Sequence, residues 1–321
     1  MALATAPIPL SNARNPAQEE VLTLLGSRAG ERPSFASPLR QELRAELEAG
    51  LEPLLDAVPE GEVLRLSKYP LAQVHGCEAR FLNSREQPFA WSVATARGTI
   101  AHKAVELSIH WPGESRPLDL VDEATDRLIQ QGGPLAVFLA GCSGVERAEL
   151  RGEANDRVAK FVECFPPLRS AWRPVTESAV RIDLFAGRIV LQGRVDLTLG
   201  HARGPVAGKV LIDLKTGGFS PAHAEDLRFY ALLETLRIGT PPIRLATYYL
   251  DSGRPHPETV TADTLRSAVR RTVDGAVRLV ELCHHDHPPV RRAGPACRWC
   301  PLRSGCTEAP GMSDDWAEES P

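Results

Sequence analysis

An acid and a lysine interrupt a strand-like apolar run, GKVLIDLKTGG, at residues 208–218. Successive side chains of a strand point to opposite faces, so Asp213 and Lys215 share one face and the apolar residues 210, 212 and 214 share the other. A buried charge is costly unless it is paired or binds a metal. The run is therefore either an edge strand with an exposed ion pair or a buried strand with reactive charges.

The composition restricts the function classes. The 321 residues suggest one or two domains, and a formal net charge of -4 means that any nucleic acid must bind a local basic patch. Only 5 residues are Lys against 32 Arg, so a lysine beside an acid is unusual here. No apolar stretch of about 18 residues and no secretory signal is seen, so we expect a cytoplasmic chain without a membrane span. Its seven cysteines then favour metal binding or reactivity over disulfides.

Alternating segments around the opening run predict a sheet. Residues 178–185, 188–199 and 208–215 alternate as strands do, with glycine turns between them. They predict an antiparallel meander, followed by a helix at 222–238 that crosses over to a parallel strand at 243–250. The remaining helices are predicted at 18–26, 37–58, 98–110, 119–131, 132–144, 146–165 and 261–283. The fold class is α/β, with a mixed open sheet flanked by helices, and the opening strand is central.

A second acid, Asp196 in GRVDL, ends the preceding predicted strand. Neighbouring antiparallel strands can bring Asp196 and Asp213 together, and two close carboxylates repel unless a cation lies between them. Magnesium or manganese suits such oxygen ligands, and an imidazole from His102 would favour manganese somewhat. Lys215 could then hold an attacking water or stabilise charge on a phosphate. These are the parts needed to hydrolyse a phosphodiester.

These residues resemble a known family. Asp196 with Asp213-Leu214-Lys215 is similar to the core motif of the PD-(D/E)XK nuclease superfamily, and GTIAHKAVE, residues 98–106, resembles the metal-binding helix of its RecB-like branch. DLRFYALLE, residues 226–234, resembles the following Q-x-x-x-Y helix, with Tyr230 matching and Asp226 replacing the glutamine. The resemblance spans about residues 62–307 and implies a restriction-endonuclease-like fold. It implies catalytic roles for Asp196, Asp213, Lys215 and Tyr230, and metal ligation by His102, Asp196, Asp213 and the Leu214 carbonyl.

The segment CRWCPLRSGC supplies three closely spaced cysteines at 297, 300 and 306. The arrangement resembles AddB-type nucleases and CRISPR-associated exonucleases, in which one cysteine before the core and three after it hold a 4Fe-4S cluster. That resemblance assigns Cys77, Cys297, Cys300 and Cys306 to such an iron–sulfur cluster. On spacing alone a structural zinc site is equally good. The other cysteines, Cys142, Cys164 and Cys283, are interpreted as packing residues.

Several further residues leave two interpretations open. Arg266 and Arg270 on one helical face, and Arg298 in the cysteine loop, are either solvated or DNA-binding through phosphates. Glu177 is either a water-mediated metal ligand or a surface turn residue. For Trp299 we expect packing of the cysteine loop rather than stacking on a base.

The sequence therefore predicts three regions: a helical N-terminal extension at 1–61, a nuclease domain closed by the cysteine loop at 62–307, and a disordered acidic tail at 308–321. The predicted function is a metal-dependent DNA exonuclease acting on single-stranded DNA or DNA ends in repair, recombination or CRISPR adaptation. No G-x-x-x-x-G-K-[ST] motif occurs, so unwinding would come from a helicase or adaptation partner. The alternative is a non-catalytic DNA-binding or scaffold subunit. The intact set of Asp196, Asp213, Lys215 and His102 argues against this alternative.

Overall fold

The computed structural model of the chain describes residues 14–87, 89–114, 116–284 and 287–309. Residues 1–13 of the predicted N-terminal extension and residues 310–321 of the predicted acidic tail lie outside these ranges. The helices are α1 Pro16–Leu25, α2 Leu39–Leu51, α3 Lys68–Gly76, α4 Glu78–Glu86, α5 Val93–Ser108, α6 Pro117–Gln131, α7 Gly133–Gly141, α8 Gly144–Cys164, α9 Ala222–Ile238 and α10 Ala262–His284. The strands are β1 Leu64–Leu66, β2 Val175–Leu184, β3 Ile189–Gly200, β4 Lys209–Lys215, β5 Arg244–Tyr249 and β6 Arg254–Thr259.

One mixed sheet of six strands carries the fold. Strands β2, β3 and β4 form the predicted antiparallel meander, and α9 crosses over to β5, which pairs with β4 in parallel. Both predictions are confirmed, and so is the central position of β4 between β3 and β5. The opening run is therefore not an edge strand, and the interpretation of Asp213 and Lys215 as an exposed edge pair is wrong.

Two strands were not predicted, and each has a physical reason. β1 has three residues, Leu64–Leu66, which is too short to show an alternating pattern. β6 contains Pro255 and Pro257, which signal against a strand. It pairs with β5 alone and forms the sheet edge, where prolines are tolerated because their missing N–H groups need no partner.

The sheet is covered on both faces. One core joins α2, α9 and α10 to β2 and β3, and the other joins α1, α5, α6 and α8 to β4 and β5. Leu43, Leu47 and Leu51 of α2 have no exposed surface and belong to the first of these cores. The boundary predicted at residue 61 therefore does not separate two cores.

Strands β1, β3 and β4 meet at the place where the predicted site residues lie. β2 pairs along one edge of β3, so β1 and β4 both lie along its other edge. β1 runs parallel to β3 and β4 runs antiparallel to it, and the carboxyl ends of β1 and β4 therefore point towards each other. Residues just after β1 must meet residues at the end of β4, near positions 192–196 of β3.

No helix within the described residues is long and apolar enough to cross a membrane.

Candidate active site

Asp213 is the central charge of the site. Its side chain, near the end of β4, has 0% exposure. Lys68 Nζ donates a hydrogen bond to Oδ1 at 2.8 Å, and Lys215 Nζ forms an ion pair with Oδ2 at 2.7 Å, outside hydrogen-bond geometry. Burial acts to raise the pKa of Asp213, but the charges of Lys215 and Lys68 outweigh it and hold that pKa below its ordinary value. The carboxylate is thus ionised inside the protein.

Asp196 lies on β3 opposite Asp213, one position beyond the pair Leu197–Ile212. Its Oδ2 accepts a hydrogen bond from the Leu214 backbone N–H at 2.7 Å, and its Oδ1 lies 3.6 Å from His102 Nδ1. Burial lowers the pKa of His102, yet the negative charge of the neighbouring Asp196 raises it overall. The structure thus places Asp196 of β3 between the histidine of α5 and the backbone at the end of β4.

The approach of α5 depends on a glycine in the GTIAH segment. A Cβ atom at Gly98 would lie 2.8 Å from Thr216 Oγ1, directly after β4. Gly98 and His102 are four residues apart and share a helix face. The small residue therefore lets α5 lie close enough to the strand end for His102 to reach Asp196.

Lys68 is a site residue that sequence reasoning missed. It begins α3 two residues after β1 ends, and the convergence of β1 and β4 brings it to Asp213. Its Nζ also lies 5.2 Å from the centroid of the Tyr230 ring, a cation–π distance. Burial acts to lower the pKa of Lys68, but Asp213 and Tyr230 raise it above its ordinary value. Because lysine is rare in this chain, the presence of a lysine at position 68 was the sequence feature that could have pointed to this residue.

Helix α9 presents Asp226 to Lys215 of β4 and Tyr230 to Gly193 of β3. Asp226, which replaces the glutamine of the family motif, lies 3.3 Å from Lys215 Nζ and so helps to fix that lysine. Burial raises the pKa of Asp226, and the lysines only partly offset it. Tyr230, one turn later, is buried against Gly193, and burial raises its pKa to about 12. Asp226, which differs from the glutamine of the family motif, therefore has Lys215 as its partner within the site.

Glu177 also lies at the site. It lies between the β2 residues that pair with Val195 and Leu197 of β3, and its backbone is left-handed, with φ of 50°. Its carboxylate pairs with Arg194 at 3.3 Å. Burial, together with the charge of Asp196, raises the pKa of Glu177. Glu177 thus lies within β2 rather than in a turn before it, and a water-mediated contact to a metal stays a prediction.

The donor types suit a hard divalent cation. Carboxylate oxygens, a main-chain carbonyl and one imidazole are the ligands that magnesium and manganese accept. Asp213 is held by two ammonium groups, so a positive charge is already required at that carboxylate. Within the described ranges no three His, Cys, Asp or Glu side chains are grouped closely enough to hold a metal.

The model of the PD-(D/E)XK nuclease superfamily matches residues 65–307 of this chain. The chain belongs to this superfamily. Members are nucleases, that is, phosphodiester hydrolases that act on DNA and typically use magnesium or manganese. The restriction-endonuclease-like fold predicted from the sequence is confirmed by the match and by the mixed, helix-flanked sheet.

Three solved structures are similar to this nuclease at low identity. The protein SSO0001 is 15% identical, with a TM-score of 0.36, covering 83% of this chain and 96% of its own. A protein called "Putative exonuclease" from Eubacterium rectale is 12% identical, with a TM-score of 0.46, covering 90% of this chain and 100% of its own. Scheffersomyces stipitis Rai1, bound to 3'-NADP+ and calcium, is 9% identical, with a TM-score of 0.25, covering 80% of this chain and 68% of its own. No curated protein matches the chain. The family match alone carries the assignment.

The nuclease brings the segment before its cysteine loop to the neighbourhood of Cys77. Val290 and Glu78 exchange two hydrogen bonds, and Arg292 donates to the His75 carbonyl at 2.9 Å. The four proposed cluster cysteines are each half-buried, but they do not form a metal-binding group within the described residues. Cys142 and Cys164 are buried, as predicted for packing residues, and Cys283 is half-buried.

The predicted DNA-binding arginines lie in different surroundings. Arg266 pairs with Glu42 and Glu46 of α2, which ties α10 to that helix. Arg270 is exposed on α10, and Arg298 lies over the Trp299 ring at 5.5 Å. Trp299 itself is 73% exposed, so the prediction that it packs the loop is wrong.

Proposed function

We propose that the protein is a divalent-metal-dependent DNA exonuclease acting on single-stranded DNA or DNA ends. One observation carries the proposal: an ionised, fully buried Asp213 beside Lys215 faces a second acid, Asp196, that is already engaged by His102. Such a concentration of buried charge costs stability. It is therefore expected at a site of reaction rather than in a scaffold.

Each residue receives a role in hydrolysis. Asp196, Asp213, His102 and the Leu214 carbonyl are the proposed ligands of magnesium or manganese. A divalent ion bound there would polarise the phosphate and make a bound water more acidic. Lys215 would stabilise the negative charge that develops on the phosphate or hold the attacking water, and Asp226 would orient it. Tyr230 would fix the position of Lys68 through its ring.

We further propose a 4Fe-4S cluster held by Cys77, Cys297, Cys300 and Cys306. The docking of Val290 and Arg292 beside residues 75–78 supports it, because that contact brings the two chain segments carrying these cysteines together. A cluster here would close a loop of more than two hundred residues, so its role would be to stabilise the domain.

The proposed setting is cytoplasmic DNA repair, recombination or CRISPR adaptation, with a helicase or adaptation subunit as partner. The resemblance to AddB-type and CRISPR-associated nucleases supports it. Arg270 and Arg298 remain proposed contacts to DNA phosphates, and Arg266 would contribute only if it left its acidic partners.

Cleavage by the purified chain tests the proposal. Single-stranded and double-stranded DNA, labelled at either end, would be incubated with magnesium, manganese or EDTA. We expect metal-dependent release of short products from single strands or ends, and none from an Asp213→Asn variant. A folded wild-type protein that binds DNA but leaves it intact would instead support the scaffold alternative.

A further inference from the structure

A groove of about 870 Å³ opens from the candidate active site. His102, Glu177 and Thr216 line it where it meets the catalytic strands, and Phe89 and Trp91 line it elsewhere. Helix α5 forms one wall, and at 1.5 Å per residue its axis runs about 14 Å from Val93 to His102. The volume lies within the range of about 300–1,000 Å³ typical of ligand sites. The groove can therefore hold a short stretch of polymer next to the reacting groups.

Two aromatic rings mark the groove just before α5 begins. Phe89 is 67% exposed, and its ring meets that of Trp91 edge to face, with centroids 5.0 Å apart. Trp91 is half-buried and packs on the core beneath α5. A large aromatic side chain gains little by facing water, so an exposed ring anchored on a buried one is suited to stacking with a ligand.

Basic side chains line the same groove. Arg97 pairs with Glu153, Lys103 with Glu106 at 2.9 Å, and Arg194 with Glu177 at 3.3 Å. The Arg194 side chain is 66% exposed. Exposed ion pairs are weak, so Arg194 can exchange the Glu177 carboxylate for a phosphate at little cost, whereas Arg97 and Lys103 are mostly buried and more firmly paired.

We propose that this groove binds single-stranded DNA, with an unpaired base stacked on the Phe89–Trp91 pair and the backbone following α5 towards His102. The assignment rests on the proposed nuclease function and specifies its substrate. In a duplex both faces of each base are covered by its neighbours, whereas an unpaired base offers its face to an aromatic ring. The groove would thus select unpaired strands.

Binding to an Asp213→Asn parent, which cannot cut, gives the test. Fluorescence anisotropy would measure the affinity for a labelled single strand and for a blunt hairpin duplex. Adding Phe89→Ala should weaken single-strand binding about tenfold or more, the usual effect of removing one base–aromatic contact, with duplex binding unchanged. Val145→Ala is the control, because Val145 is also a strongly exposed apolar residue but lies outside the groove lining, and it should change neither affinity.

A second readout reports on the position of the base. Binding of a single strand should quench tryptophan fluorescence in the parent, and Trp91→Phe should remove most of that quenching while keeping the affinity within about threefold, since phenylalanine also stacks. Unchanged single-strand affinity in Phe89→Ala, or full quenching in Trp91→Phe, would overturn the assignment. If the wild-type protein cuts DNA in that case, the groove assignment alone fails. If it neither binds nor cuts DNA, the proposed function fails as well.

Discussion

Lys68 and Lys215 both compensate the buried charge of Asp213, but their surroundings suit them to different roles. Lys215 lies on the same strand face as Asp213 and is itself fixed by Asp226, so it is placed to act on a phosphate. Lys68 reaches Asp213 from α3 and lies against Tyr230. Lys215 is therefore the lysine proposed to act in the reaction, whereas Lys68 is expected to stabilise the metal-free site.

Replacing Lys215 by alanine should lower DNA cleavage by about a hundredfold or more with the fold intact, because a charge-stabilising donor is lost. Single-turnover cleavage rates and circular dichroism would measure this. Lys160→Ala on α8 serves as the control, since that side chain is partly exposed, lies outside the site and pairs with Glu163 at 3.8 Å. Near-normal cleavage by folded Lys215→Ala would remove the lysine from the reaction.

Removing both lysines should destabilise the metal-free protein more than the two single losses added together. Each single alanine variant leaves Asp213 with one ammonium partner, but the double variant leaves a buried charge with none. Urea unfolding in EDTA would measure the coupling, which we expect to reach about 1 kcal/mol or more. Additive losses would show that the two lysines do not share the charge of Asp213.

The order of the strands explains how distant residues reach one place. β1 and β4 use the same edge of β3 and converge with their carboxyl ends, while α5 and α9 cover opposite faces. Tyr230 of α9 lies against the backbone of β3 at Gly193, where a side chain would overlap its ring. A glycine in mid-strand is thus a condition for the close packing of α9.

Gly193→Ala should lower the free energy of unfolding by about 1–3 kcal/mol, because the added methyl group overpacks the contact with Tyr230. The matched change is Gly152→Ala in α8, where a Cβ atom meets nothing within 4 Å. That variant should gain up to about 1 kcal/mol from helix propensity. Equal effects in the two variants, measured by chemical denaturation, would argue against a tight contact at Tyr230.

Much of this arrangement follows from sequence patterns, and the exceptions share a cause. Alternating residues located β3 and β4, and helical spacing located α9, so Asp196, Asp213 and Lys215 were predicted to lie together. Lys68 was missed because its position depends on β1, whose three residues show no period. The approach of Asp226 to Lys215 likewise depends on how α9 packs, which propensity does not determine.

The whole domain is closed by contacts between its two ends. Glu78, only 1% exposed, accepts hydrogen bonds from Arg278 of α10 and from the Val290 N–H. Helix α2 adds its leucines to the same core as the sheet. The proposed cysteine cluster would reinforce a closure that side chains already make.

If the cluster forms, protein purified without oxygen should be brown and contain iron and sulfide. Cys297→Ser should bleach the colour and lower the melting temperature, with cleavage falling as the domain loosens. Cys142→Ser, which changes a buried cysteine on another part of the chain, should leave the colour unaltered. Stoichiometric zinc without iron or sulfide would contradict the cluster and leave the nuclease site intact.

The shared metal ion is the central claim, and cleavage by combined variants tests it most directly. His102→Ala, Asp196→Ala and Asp213→Ala should each abolish or greatly reduce metal-dependent cleavage. Because they break one unit, the double and triple variants should be scarcely slower than the most damaged single variant. Cleavage rates would be measured at saturating manganese with each protein shown to be folded. Losses that multiply independently from variant to variant would contradict a common ion.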